Sequence, residues 1–148
     1  MAWRKPTSDD LITGLSLAEV EVYRRAAADI GDDPAPRILA DTAEMVRSYC
    51  RSHGNIRLSP IAGEIPDSLI SPAMDYAVVQ LLKRFPVKIA EARTSARDAA
   101  LRIFGDVAAG RLTPESYGAA PDAAAGKIAV EVAVSSRRRV TSAKLEGL

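Results

Sequence analysis

The sequence predicts a mainly α fold: a small bundle of about four helices, followed by an extended C-terminal strand and a basic arm. Successive segments repeat apolar residues at three- and four-residue spacing, with capping residues, prolines or glycines at their ends. Alanine supplies 26 of the 148 residues while aromatic residues are only 5%, which suits close helix packing and argues against a sandwich core. Near the C-terminus branched apolar residues alternate with Lys, Ala and Glu, which marks a strand. With 47% hydrophobic and 26% charged residues, the chain can bury one core of ordinary domain size.

Thr7 and Ser8 ahead of Asp9-Asp10 start a short helix that Gly14 stops. Ser16-Leu-Ala-Glu19 has the form of a capping box and opens a helix to about Asp29. Its modest stripe of Leu17, Val20 and Ala27, with Arg24 and Arg25 nearby, predicts a surface helix. Asp33-Pro34 opens the next helix, whose stripe of Ile38, Leu39, Thr42, Met45, Val46, Tyr49 and Cys50 faces the core and ends near His53-Gly54. Asn55 to Pro60 is irregular, and Pro66 to Ile70 reads as a single helical turn.

Ser71-Pro72 repeats the cap-then-proline signal and introduces the most apolar face in the chain, Met74, Ala77, Val78, Leu81, Leu82 and Phe85, which predicts the central helix. Pro86 ends or kinks it. A long last helix is expected over Lys88 to Ala109, stopped by Gly110, with Ile89, Ala100, Phe104 and Val107 among its apolar positions. These helices assign residues 1–118 to the body. Residues 119–148 then hold an Ala-rich linker, the strand Lys127–Val134 with Ile128, Val130, Val132 and Val134 on one face, and a tail with Arg137-Arg138-Arg139 and Lys144. A strand needs a partner for its backbone groups. Either one hides near Ile56–Leu58 or Ile61, or the segment pairs with another polypeptide.

Charge and composition narrow the function. Twenty basic against nineteen acidic residues give a net charge of +1, so there is no global field to hold nucleic acid or an anionic membrane. No apolar run approaches the roughly 18–20 residues of a membrane span, no leader-like segment opens the chain, and a lone cysteine forms no internal disulfide, so a soluble product of a reducing cytoplasm is expected. One Cys and one His fall short of a zinc ligand set. Cys50 and His53 share a helix face, but Cys50 belongs to the apolar stripe and His53 to the helix end, with no acid to orient them. Carboxylates at Asp9-Asp10, Glu19/Glu21 and Asp32-Asp33 are explained by caps and loops. No phosphate-binding glycine motif or nucleophile elbow occurs, so a non-enzymatic role with no metal or cofactor is expected. Arg93, Arg97 and, further round, Lys88 lie near one stripe of the last helix and read first as a solvated face, while Trp3 reads as an anchor against the body.

The opening Thr7-x-Asp9-Asp10-Leu11, the helix Asp41-x-x-x-x-Val46-Arg47-Ser48-Tyr49, the Ile65-Pro66-x-x-Leu69 approach to an apolar helix and the Ser135-Ser136-Arg137-Arg138 to Leu145 tail together resemble the Mu-like prophage structural proteins. Those are small phage proteins grouped with head-tail connectors. The resemblance implies a head-tail adaptor in the virion neck of a tailed double-stranded DNA phage or phage-like particle. Such a subunit rings the portal protein in roughly twelve copies, meets a tail-side stopper or tail-completion protein, and lets genomic DNA pass without sequence-specific binding. It brings no catalytic residues, cofactor or membrane contact. On that reading Ile128, Val130, Val132 and Val134 form an intersubunit strand, and Arg137, Arg138, Arg139, Lys144, Leu145 and Leu148 form a portal-docking arm. The alternatives are a stopper or tail-completion subunit, which would be strand-rich, and a small helical DNA-binding regulator using Arg137–Arg139 and the long last helix.

Overall fold

The computed structural model describes residues 3–119. It is mainly helical, in the order β1 (Trp3–Arg4), α1 (Ser8–Thr13), α2 (Leu17–Ile30), α3 (Ala35–His53), β2 (Ile65–Pro66), a 3₁₀ turn (Asp67–Leu69), α4 (Ile70–Leu82) and α5 (Glu91–Ala108). The expected linker, strand and arm lie outside the described residues.

The start signals work as the chemistry requires. Thr7 accepts from the Asp10 N–H while the Asp10 carboxylate accepts from the Thr7 N–H at 2.8 Å, a reciprocal cap for α1. Ser16 and Glu19 do the same for α2, at 3.3 and 2.8 Å. Ahead of α3, whose N-cap is Pro34 and not the expected Asp33, Asp33 Oδ1 accepts from the Ala35 N–H at 3.0 Å and from the Tyr23 hydroxyl, so one carboxylate satisfies the first N–H of α3 and ties α2 to it. Gly31 and Gly54 close α2 and α3 with φ of 72° and 80°, a left-handed conformation that only glycine adopts without cost.

α4 is the central element. Ile70, Ala73, Met74, Ala77, Val78, Val79, Leu81 and Leu82 are all buried, and they point to more than one side of the helix. α3 and α5 pack on α4 and on each other, and α1 rests on α3 and α4. Each large α4 side chain withdrawn from water contributes about 1.5–3 kcal/mol. α3 faces inward with Ile38, Leu39, Thr42, Ala43, Val46 and Cys50, and α5 with Ala100, Phe104 and Val107. Tyr49 stacks on Phe104 at 5.8 Å between ring centroids. α2 is a surface helix, as its pattern predicts, yet its anchor differs from the expected stripe. Leu17 is 88% exposed, and the buried residue is Tyr23, whose ring lies 6.3 Å from that of Phe85.

Three boundaries depart from the sequence expectation. α4 starts at Ile70, because the 3₁₀ turn after Pro66 runs straight into it; Ser71 is therefore inside the helix, and Pro72 sits in a first turn whose N–H groups have no intrahelical acceptor. α4 stops at Leu82, where the Arg84 and Phe85 N–H groups bond to Leu81 and Leu82 and tighten the chain before Pro86; Phe85 is buried from this turn. α5 starts at Glu91, not Lys88, because residues 87–90 run outside any helix with Val87 and Ile89 half-buried and Lys88 and Ala90 exposed.

No strand forms at Ile56–Leu58 or Ile61, the positions weighed as a partner for the C-terminal strand. β1 pairs antiparallel with β2, Trp3 opposite Pro66 and Arg4 opposite Ile65, while Ile56–Leu58 and Ile61 lie in loops. Trp3 is an anchor. It is 7% exposed, its indole N–H donates to the Glu115 carbonyl at 2.8 Å, and its ring meets Tyr117 edge-on at 6.5 Å. The segment after α5 folds back to reach it: the Tyr117 N–H donates to the Arg57 carbonyl at 2.8 Å, and Ser68 donates to the Glu115 carboxylate.

The loop between α3 and β2 is held from within by Arg47, which is 8% exposed. Its guanidinium donates to the carbonyls of Ser59 at 2.9 Å, Glu64 at 2.8 Å and Ile61 at 3.3 Å, and lies 6.0 Å from the centre of the Trp3 ring. Replacing Arg47 with Met keeps the stem but strips three buried or half-buried acceptors of their donor. We expect a loss of about 2–4 kcal/mol in chemical denaturation, and a loss under about 0.5 kcal/mol would show that the loop does not depend on this clamp.

Candidate functional site

The cysteine-histidine pair is not assembled for chemistry. Cys50 is fully buried among core residues, and burial pushes its thiol up to about 11 despite the opposing charge of Arg47, so it is not a thiolate near neutrality. The His53 ring is engaged elsewhere: Nδ1 accepts from the Asn55 N–H at 3.3 Å, and Nε2 lies 3.2 Å from the Thr113 hydroxyl. The pair therefore joins the end of α3 to the segment after α5. Among the described residues no three His, Cys, Asp or Glu side chains group as a metal set would, and no helix is long and apolar enough to cross a membrane.

Of the carboxylates flagged in the sequence, Asp10, Glu19 and Asp33 are engaged by neighbouring groups. Asp10 faces Arg4 at 2.8 Å, and Arg4 also reaches Asp67 at 2.9 Å, so one guanidinium ties β1 to α1 and to the 3₁₀ turn. The Arg4 hydrogen bond holds Asp10 down to about 2, with help from Thr7, and the two carboxylates raise Arg4 in turn. Burial alone would push Glu19 up, but the Ser16 backbone N–H and Arg93 outweigh it and hold Glu19 below its usual value. Burial and the neighbouring Asp33 push the Tyr23 phenol up to about 12.

The basic stripe expected on the last helix divides into different roles. Arg93 bonds Glu19 at 2.7 Å and so pins the start of α2 to α5. Arg97 is turned onto Asp98 at 2.8 Å. Lys88 precedes α5 and is not on that helix at all. Neither arginine thus offers an uncompensated charge for a phosphate.

What the folded body does offer is two grooves. One, of about 240 Å³, runs between α3 and α4 and is lined by Ile38, Asp41, Thr42, Met45, Tyr76, Gln80 and Arg84. The other, of about 370 Å³, has Lys5, Thr7 and Ser8 along one rim and an apolar bed formed by Pro6, Pro36, Leu39, Ala40, Ala43 and Ala62. Neither is marked by a motif in the sequence, because each is assembled from segments far apart in the chain. The residues assigned to an intersubunit strand and a docking arm, Ile128 to Val134 and Arg137 to Leu148, lie outside the described residues. No family model matches the chain, and no curated protein and no solved structure matches it either.

Two outcomes follow from this chemistry. Because Asp10 lies below the ordinary carboxylate value near 3.8 in the folded chain, its contribution is complete above about pH 4 and is lost as pH falls towards 2. An Asp10→Asn chain should therefore melt lower at neutral pH and show a shallower loss of thermal midpoint between about pH 5 and about pH 2; an unchanged acid slope would contradict the assignment. Cys50 should react with a disulfide-exchange reagent only after unfolding, and fast reaction of the native chain at pH 8 would contradict its burial.

Proposed function

We propose that this chain is a structural head-tail adaptor of a tailed double-stranded DNA phage or phage-like particle. It forms a ring under the portal protein, joins it to a tail-side stopper or tail-completion subunit in the virion neck, and lets DNA pass through the lumen without reading its sequence. One observation carries the reading. The described body leaves no buried side-chain polar atom unpartnered, and its sheet has only two residues in each strand. The described residues hold no strand longer than two residues, and the alternating pattern of Lys127–Val134 in the sequence favours pairing with a neighbouring subunit.

Further support comes from the build of the body. A ring subunit is a wedge that must keep its shape under load, and α3, α4 and α5 pack mutually around one apolar core. The N-terminal strand, the loop over Arg47 and the segment after α5 are all tied to that core by buried or half-buried hydrogen bonds. A strand-rich stopper barrel does not suit a body of this helical build. A duplex-binding helix is disfavoured by the acidic partners of Arg93 and Arg97. In the adaptor, Ile128, Val130, Val132 and Val134 bury an apolar face against a neighbour, and Arg137, Arg138, Arg139, Lys144, Leu145 and Leu148 dock on the portal.

Truncation after Gly126 separates body from arm. The described core runs from Trp3 to Val107, so the shortened chain should keep its helical circular dichroism and its thermal midpoint to within about 2 °C. It should fail to incorporate onto portal-bearing heads. Normal incorporation would overturn the arm assignment.

A further inference from the structure

The first residue of α2, Leu17, is 88% exposed, the most exposed of the large apolar side chains among the described residues. The backbone that carries it is tied down. Ser16 and Glu19 cap the helix reciprocally around it, and Glu19 is bonded to Arg93 of α5 at 2.7 Å. Glu21 lies four residues on, so it shares the Leu17 face of the helix, is exposed, and has no ion-pair partner among the described residues. The same body carries a feature of opposite form. The groove of about 370 Å³ is lined by the buried Leu39 and Ala43 and the exposed Ala40 and Ala62, and its three alanines are small enough to leave room for an incoming side chain. On its rim stands Lys5, whose stem passes 3.9 Å from where a side chain on Gly63 would begin. Lys5 is exposed and likewise has no ion-pair partner among the described residues, since Arg4 takes Asp10 and Asp67, and Ser59 holds the Glu64 carboxylate.

We infer that α2 of a second copy of this chain docks in this groove, with Leu17 seated among its alanines and Glu21 paired with Lys5. The apolar knob supplies the burial, and the single charge pair sets the register, because the reverse seating would leave Lys5 without a carboxylate. The contact buries one leucine and a short helical face, so on its own it is weak, and repetition around a closed assembly gives it strength. The inference rests on the adaptor reading only in expecting copies to meet side by side. Its test uses purified full-length protein and no phage heads, so this contact and the arm assignment stand or fall separately.

Mix an A18C chain, which keeps Leu17, with an A62C chain under mild oxidation and measure the mixed disulfide against an I30C and A62C mixture. Ala18, Ile30 and Ala62 are all exposed, so the variants should fold, which circular dichroism checks; native Cys50 is buried and does not compete. The first mixture should cross-link faster than the control. Adding E21K to the first chain alone, or K5E to the second alone, should slow it about twofold to fivefold, and both together should restore it. Cross-linking no faster than the Ile30 control would overturn the contact. Cross-linking indifferent to both charge reversals would overturn the proposed register and the partner assignment with it.

Discussion

Everything in this fold answers to the need to cover α4. A helix with buried residues on several sides cannot lie on a surface, so α3 and α5 must flank it, and α1 closes part of what remains. The apolar faces of α3 and α5 are narrower, and each leaves a polar side to solvent. That arrangement gives the body one continuous core with its boundaries at β1 and the last turn of α5.

The second constraint is polar. A loop crossing the body between α3 and β2 carries carbonyl groups away from water, and Arg47 supplies donors to three of them from the middle of a helix. The same guanidinium lies beside Trp3, so the N-terminal strand, the loop and α3 share one centre. Glu115 and Tyr117 complete it from the far end of the body. The groove proposed to receive a second copy borders this region. Its rim residue Lys5 follows directly on Trp3 and Arg4, and its lining residue Ala62 belongs to the loop that Arg47 holds, so both sit on backbone tied to the core.

The adaptor reading assigns different tasks to different parts of the chain. The body supplies stiffness and side-to-side contacts, and the residues after it supply reach towards a neighbour and the portal. Weak contacts repeated in a ring suit a part that must assemble on a template without polymerising beforehand.

Local chemistry was readable without the structure. The caps at Thr7 and Ser16, the core stripe of α3, its stop near Gly54, and the anchoring role of Trp3 all depend on neighbours within a few residues or on one side chain's character. What the sequence by itself determined was therefore the helical class and most helix starts. Tertiary structure decided the rest, because long-range contacts chose among local options of similar energy. Tyr23 rather than Leu17 anchors α2, since Phe85 and Asp33 meet it there. Lys88 leaves α5, since Val87 and Ile89 are drawn to the core in a non-helical segment. β1 and β2, two residues each, are too short to show a period, and they exist only because Glu115, Arg47 and the core hold Trp3 against Pro66. Arg47 looked like one more helical arginine until folding brought Ser59, Ile61 and Glu64 to it, and the grooves became visible only once residues tens of positions apart were side by side.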